Sequence, residues 1–248
     1  MSALTVRPIA HAYGDRRRRI EAALESGVEW IEADLRWWGG KTWVRHEHRL
    51  PGLPVLWNRN LQGIHRAGPL GRSFGPYWLR LDTGRMRFEE LLDRTSGRAS
   101  LMLDFKAQRY SRAESRRFVA SVLRTLELRP FAGGIDFCGM WGLLDLVRVF
   151  RPAQEVHYSV DAPRDWGLVQ PRLAANDPAV GISIRRSLLT PARAAQLRAA
   201  NTSFFAWDID EAVQAEVAIA EGAGGILADD LDLLRSLAGR SIHTAGPA

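Results

Sequence analysis

The stretch WIEADLRW at residues 30–37, echoed further along by SLMLDFK at 100–106, decides how this chain is read. In an extended strand, residues i and i+2 point to the same side. Glu32 and Asp34 therefore send two carboxylates one way, and Asp104 and Lys106 repeat the device on a later strand. An apolar strand that aims two acids into one space suffers desolvation and mutual repulsion unless a cation compensates them. With Asp104 added, the three acids make an all-oxygen set suited to Mg²⁺ or Ca²⁺. Plainer arrangements also satisfy the pattern: an edge strand or arginine partners for Glu32 and Asp34, and a buried salt bridge for Asp104 and Lys106.

Around these two stretches, short β-branched or aromatic runs alternate with Ala/Leu/Arg-rich helical patterns. The strand candidates are VRPIAH (6–11), WIEADLRW, TWVRHE (42–47), SLMLDFK, GIDFCGM (134–140), EVHYSV (155–160), AVGISI (179–184), SFFAWDI (203–209) and GGILAD (224–229). Helical patterns fall at 17–26, 86–95, 111–127, 141–150, 191–200, 210–221 and 231–237. Such alternation with short connections predicts a parallel sheet with right-handed crossovers. Over a chain of 248 residues this points to a (β/α)₈ TIM barrel occupying 1–240 as a single domain. No glycine-rich dinucleotide loop follows the first strand, which argues against an open doubly wound sheet. Residues 48–84, rich in Gly, Pro and Arg, break the rhythm after the strand that carries His46. They are expected to form an insertion over the active face, as a lid or substrate wall. The segment 241–248 is expected to be a disordered tail.

The composition narrows the function classes. A chain that is 46% hydrophobic with nine Trp supports a full-sized core. No window is apolar enough for a transmembrane segment, and the N-terminal order of apolar and charged residues is the reverse of a secretory signal, so the expectation is a cytoplasmic protein. A single cysteine, Cys138, excludes internal disulfides and cysteine-based metal sites. The net charge of +6 comes from arginines spread along the chain, which gives no specific nucleic-acid surface and is compatible with an anionic small-molecule substrate. Lysine occurs only at 41 and 106. A lone lysine in an apolar strand, in a chain whose default cation is arginine, suggests a need for a compact ammonium.

His11 ends the first strand and His46 ends TWVRH. In a parallel barrel the C-terminal strand ends converge on one face, where catalytic groups sit. Two histidines beside a metal meet the needs of phosphodiester cleavage, one taking a proton from the attacking group and the other protonating the leaving oxygen. His48 is the second choice for the role of His46. Trp207, in FFAWDID, either packs in the core or walls the pocket, and Tyr158 is a weaker candidate of the same kind. Asp229 fits a cap for the helix that starts near 231.

Taken in order, these motifs resemble the glycerophosphodiester phosphodiesterase family of the PLC-like phosphodiesterase superfamily, over nearly the whole chain. PIAHAYG is similar to the family's AHRG opening, SGVEWIEADL to its IE-x-D segment, and WVRHEHRL to its HD-x-x-L segment. LMLDFK stands at its E-x-K, FCGMWGLLDLVRVFRP at its SF…LR…P segment, and the pair FFAWDIDE and GAGGILADD at its WTVN…TD ending. The resemblance implies a metal-dependent phosphodiester hydrolase acting on a small glycerophosphodiester or related phospholipid-derived substrate. It implies His11 and His46 as catalytic residues and Glu32, Asp34 and Asp104 as ligands of Mg²⁺ or Ca²⁺. It further implies that Lys106 contacts phosphate and Trp207 lines the pocket. The chain departs from the pattern at Ala12, where the family has a phosphate-gripping arginine, and at DRRRR (15–19), which replaces its PENT segment. Arg36 or one of Arg16 to Arg19 is the expected substitute for that grip. The same departures are similar to sphingomyelinase-D-like phospholipases, and a catalytically inactive phosphate-binding barrel is a further alternative.

Overall fold

The computed structural model describes residues 4–49, 56–59, 71–74, 77–80, 86–106 and 110–242. Eight parallel strands close on themselves: β1 (Arg7–Ala10), β2 (Trp30–Trp38), β3 (Ser100–Phe105), β4 (Ile135–Gly139), β5 (Val156–Val160), β6 (Val180–Arg185), β7 (Phe204–Ile209) and β8 (Gly225–Ala228). Each pairs with the next in chain order, and β8 pairs with β1 to complete the ring. Helices α1 (Arg17–Ser26), α2 (Phe88–Thr95), α3 (Arg112–Leu128), α4 (Trp141–Phe150), α5 (Trp166–Ala175), α6 (Pro191–Ala199), α7 (Ala212–Ala220) and α8 (Leu231–Leu237) follow the strands in turn. The expected (β/α)₈ barrel is therefore the architecture observed. Helix α5 has no counterpart among the helical patterns of the sequence, because Gly167 and Pro171 blur its periodicity. No described helix is long and apolar enough to cross a membrane.

Period-two alternation sorts the strand residues into two cores. Outward-pointing residues such as Ile31, Leu35, Leu101, Leu103, Phe105 and Phe137 are sealed beneath the helices. A smaller core inside the barrel holds Ile9, Met102, Cys138, Phe205 and Leu227, with Trp30 and Trp207 packed against it. The two tryptophans lie on opposite sides of this plug, since Trp30 precedes and Trp207 follows the inward layer on parallel strands. Inward positions beyond the plug therefore reach the mouth.

One predicted strand is not part of the barrel. TWVRHE contributes Lys41–Val44, which runs antiparallel to the upper half of β2 (Leu35 opposite Val44, Trp38 opposite Lys41). The turn is Gly39–Gly40, both with positive φ (60° and 72°), the conformation a tight hairpin requires and glycine adopts freely. His46 thus does not end a rising barrel strand. The hairpin climbs above the mouth and delivers it back down, where the Arg45 amide donates to the Asp34 carbonyl at 2.8 Å. Within the insertion, His48–Arg49, Leu56–Arg59, Gly71–Phe74 and Tyr77–Arg80 form a separate four-stranded antiparallel sheet, so 48–84 is not a structureless loop. At the chain ends Ser241–Ile242 pairs antiparallel with Leu4–Thr5. The tail thus begins no earlier than 243, and residues 243–248 lie outside those described.

Candidate active site

Strands β2 and β3 are in register, with Met102 opposite Glu32 and Asp104 opposite Asp34. This pairing brings the three acids together inside the mouth, with one carboxylate oxygen from each within 4.8 Å of the others. Glu32 and Asp34 are 1% exposed, yet Glu32 Oε1, Asp34 Oδ2 and Asp104 Oδ1 are buried with no hydrogen-bond partner. Buried acceptors are almost always satisfied, so an unsatisfied convergent set signals a missing positive partner. The donor set is hard, acceptor-only oxygen, which fits a divalent cation of the Mg²⁺ or Ca²⁺ type.

Lys106 supplies part of that charge. Its Nζ lies 2.8 Å from Asp34 Oδ1 and donates to Asp104 Oδ2 at 2.5 Å. The salt bridge allowed by the sequence is present, and the acid cluster exists beside it. Burial opposes ionisation of Asp34, but the Lys106 ammonium and neighbouring His46 hold its carboxyl far below the usual range. Burial, and then the Asp34 charge, push Glu32 well above its usual range. Asp104 is raised by burial, against the pull of Lys106. A metal binding here would expel protons from the raised acids.

The first loop contributes more than was legible in the sequence. Ala12 adopts the left-handed conformation (φ 54°), which turns its amide to donate to Glu32 Oε2 at 2.5 Å. Asp15, in the short turn that follows, accepts the Asp34 amide at 2.8 Å. Burial and the charges of Asp34 and Glu32 raise its carboxyl strongly. Asp15 is thus a fourth acid at the centre, and no periodicity announces it because it sits in a 3₁₀ turn. Gly14 permits the close approach: a Cβ there would stand 2.3 Å from that of Ala33.

His11 reaches the mouth from β1. Its Nδ1 lies 3.2 Å from Asp229 Oδ1, an arrangement that places the ring proton on Nδ1 and leaves Nε2 as the acceptor. Asp229 therefore orients His11 and does not cap α8; Asp230 does that, accepting from the amides of Asp232 and Leu233. The His46 carbonyl accepts from Arg36 Nε at 2.9 Å and from Arg36 Nη2 at 2.7 Å. Arg36 is 3% exposed and is occupied in holding the histidine segment. His48 stacks on Trp57 (4.9 Å between centroids), and burial together with Arg36 and Arg45 pushes it down to about 4. It is a poor proton donor at neutral pH and no substitute for His46.

Trp207 stands at the mouth, its ring 6.5 Å from that of His11. It precedes a bulge in β7, where Asp208 has φ 67° and the register with β8 shifts. Tyr158 is elsewhere. It points outward into the helical layer, where its hydroxyl donates to Asp145 of α4 and its ring lies 4.7 Å from Trp141. Three arginines of the run are engaged by acids other than Glu32, Asp34 and Asp104. Arg17 bonds Glu90, Arg16 lies 3.7 Å from Glu47, and Arg19 lies over Tyr13 and 3.5 Å from Asp229.

With this geometry in view, comparison with known proteins gives a consistent picture. No protein-family model matches the sequence, and no curated protein does. Solved structures do match in fold. A Silicibacter pomeroyi protein assigned as a glycerophosphoryl diester phosphodiesterase is 19% identical, with a TM-score of 0.71 over 96% of this chain and 94% of its own. An Oleispira antarctica phosphodiesterase in complex with the product sn-glycerol-3-phosphate is 15% identical, with a TM-score of 0.68 over 94% and 96%. The glycerophosphodiester phosphodiesterase of Thermotoga maritima is 16% identical, with a TM-score of 0.66 over 94% and 98%. The chain has the fold of the glycerophosphodiester phosphodiesterases. The match spans both chains almost end to end, so the barrel is shared as a whole and not as a fragment.

Proposed function

We propose that this chain is a metal-dependent phosphodiester hydrolase acting on a glycerophosphodiester. The observation that carries the reading is the buried, partly unpartnered trio Glu32, Asp34 and Asp104, flanked at one barrel mouth by His11 and His46. The Oleispira antarctica neighbour holds sn-glycerol-3-phosphate as a product, which supports a substrate of that class for the shared barrel. Glu32, Asp34 and Asp104 would hold Mg²⁺ or Ca²⁺, and such an ion offsets charge on the phosphoryl oxygens when bound. Lys106, anchored by two of the acids, presents a compact cation to the same oxygens.

The chemistry then needs two proton transfers. As a water or substrate hydroxyl attacks phosphorus, one histidine accepts its proton. As the bond from phosphorus to the leaving oxygen breaks, the other histidine gives its proton to that oxygen. Asp229 fixes the tautomer of His11, and Arg36 fixes the backbone that carries His46. His11→Ala and His46→Ala should each lower kcat by roughly 10²–10⁴-fold on glycerophosphodiesters, with chelator abolishing activity and Mg²⁺ or Ca²⁺ restoring it. Unchanged turnover in both variants would sink the assignment.

A further inference from the structure

The wall of the mouth opposite the acids carries a second charged feature. Strand β6 is four places from β2 in either direction round the ring, and its last inward residue is Arg185. Arg185 is the register partner of Trp207 on β7, and its guanidinium carbon lies 4.5 Å over the Trp207 ring. Among the described residues it makes no ion pair, and its Nε is buried with no hydrogen-bond partner. Asp161, at the end of β5, lies within electrostatic range of both Arg185 and Lys106 without pairing closely with either. Other arginines, Arg17, Arg94 and Arg148 among them, are spent in ion pairs. This one is stacked, pointed inward and has donors to offer.

Two consequences follow from elementary recognition chemistry. A guanidinium held over an indole is pre-organised, and its N–H groups are a fork for carboxylate or phosphate oxygens. The same stacking occupies the aromatic face that would otherwise attract a quaternary ammonium. A diester whose phosphate lies against Lys106 and the acids has two ester arms, and the one that crosses the mouth meets β6 and β7. We infer that Arg185, laid on Trp207, selects glycerophosphodiesters whose leaving alcohol carries an anionic group, and disfavours those ending in a quaternary ammonium.

The inference rests on the phosphodiesterase reading, and the test separates the two. Wild type, Arg185→Gln, Arg185→Lys and Arg185→Glu are assayed with metal on glycerophosphoserine and glycerophosphocholine. Wild type should favour the serine diester by about tenfold in kcat/KM, the worth of one charge-assisted contact. Arg185→Gln should erase that preference through KM while leaving kcat on the choline diester near wild type. Arg185→Lys should restore part of it, and Arg185→Glu should invert it. Equal rates on both diesters in wild type would overturn the inference with the hydrolase intact. So would a loss in Arg185→Gln that is the same for both, since that marks a contact with the shared glycerol phosphate. If neither diester is cleaved, the phosphodiesterase reading fails. Calorimetric titration of both diesters into metal-loaded protein then decides Arg185 separately: unequal binding that Arg185→Gln levels supports it, and equal or absent binding overturns it.

Discussion

The two ends of the barrel treat their charged and polar side chains in opposite ways. At the lower end, Arg7 pairs with Asp136 and lies 4.2 Å over Trp30 and 5.4 Å over Phe205. His157 stacks on Phe205 at 4.0 Å and contacts Ser203 at 3.3 Å, while its Nδ1 is buried without a partner. At the upper end three acids converge, and the donors present, Lys106 and the Ala12 amide, still leave Glu32 Oε1, Asp34 Oδ2 and Asp104 Oδ1 buried without a partner. Each end also uses a glycine to admit its polar group. A Cβ at Gly181 would stand 2.3 Å from the His157 ring, and one at Gly139 would stand 2.3 Å from Asp104 Oδ1. The lower cluster closes its own charge balance and serves the fold. The upper one leaves its balance open, which is the condition for binding something.

The sharpest way to break this comparison is to fill both glycine positions. Gly139→Ala should do the greater damage to activity. It displaces Asp104 and also places a side chain on backbone with φ 115°. Metal affinity and kcat/KM should fall by at least about 10²-fold, as when a group holding a ligand or catalytic residue is misplaced. Gly181→Ala should cost about 1–3 kcal/mol of stability through overpacking against His157, with the catalytic parameters of the folded fraction unchanged. Metal titration and denaturant unfolding on both variants make the check. Loss of metal binding in Gly181→Ala equal to that in Gly139→Ala would show that the ends are not independent.

The unequal legibility of the two ends has a physical origin. Acids two apart in an apolar strand are so costly that WIEADL advertises a site, LMLDFK adds a third acid two residues from a lysine, and register between β2 and β3 then assembles it without further information. The eight barrel strands were readable for a similar reason, each being a short apolar run bounded by helix. Period two says which residues share a face but not which face looks inward. Tyr158 is therefore a weaker pocket candidate by sequence, while His157, its neighbour, is the inward residue. TWVRHE carries the alternation of any strand, and only the Gly39–Gly40 turn betrays that it runs backwards. Arg185 had no signal at all, because one arginine among so many stands out only when its stacking and missing partners are seen. Asp15 was hidden in a turn without periodicity.

The lower end should also carry a pH effect of its own. Burial, aided by the Arg7 charge, lowers His157 from 6.5 to about 3. The native state thus keeps His157 neutral while the unfolded chain takes up a proton below about 6.5. Between these values the unfolded state binds more protons, so stability is present above pH 6.5 and drains away as pH falls towards 3. The full swing is on the order of 4–5 kcal/mol. His157→Gln should flatten this part of the stability–pH curve relative to wild type, read by urea unfolding at several pH values. Parallel curves would mean that His157 is not the titrating group.

The smallest expected effects come from exchanging one arginine at each end for lysine, which keeps the charge and removes the planar fork. Arg36 donates twice to the His46 carbonyl, a geometry a lysine ammonium cannot copy. Arg36→Lys should therefore lower kcat by about three- to tenfold through a less well-held His46, with KM, metal affinity and unfolding midpoint close to wild type. Arg7→Lys should behave in reverse. It weakens the stacking on Trp30 and the pairing with Asp136, costing about 1 kcal/mol of stability, while kcat stays the same. The pair of variants asks whether an arginine in this barrel serves the fold or the reaction according to the end it occupies. A drop in stability without a drop in kcat for Arg36→Lys would assign Arg36 to the fold, and leave His46 to be positioned by the hairpin alone.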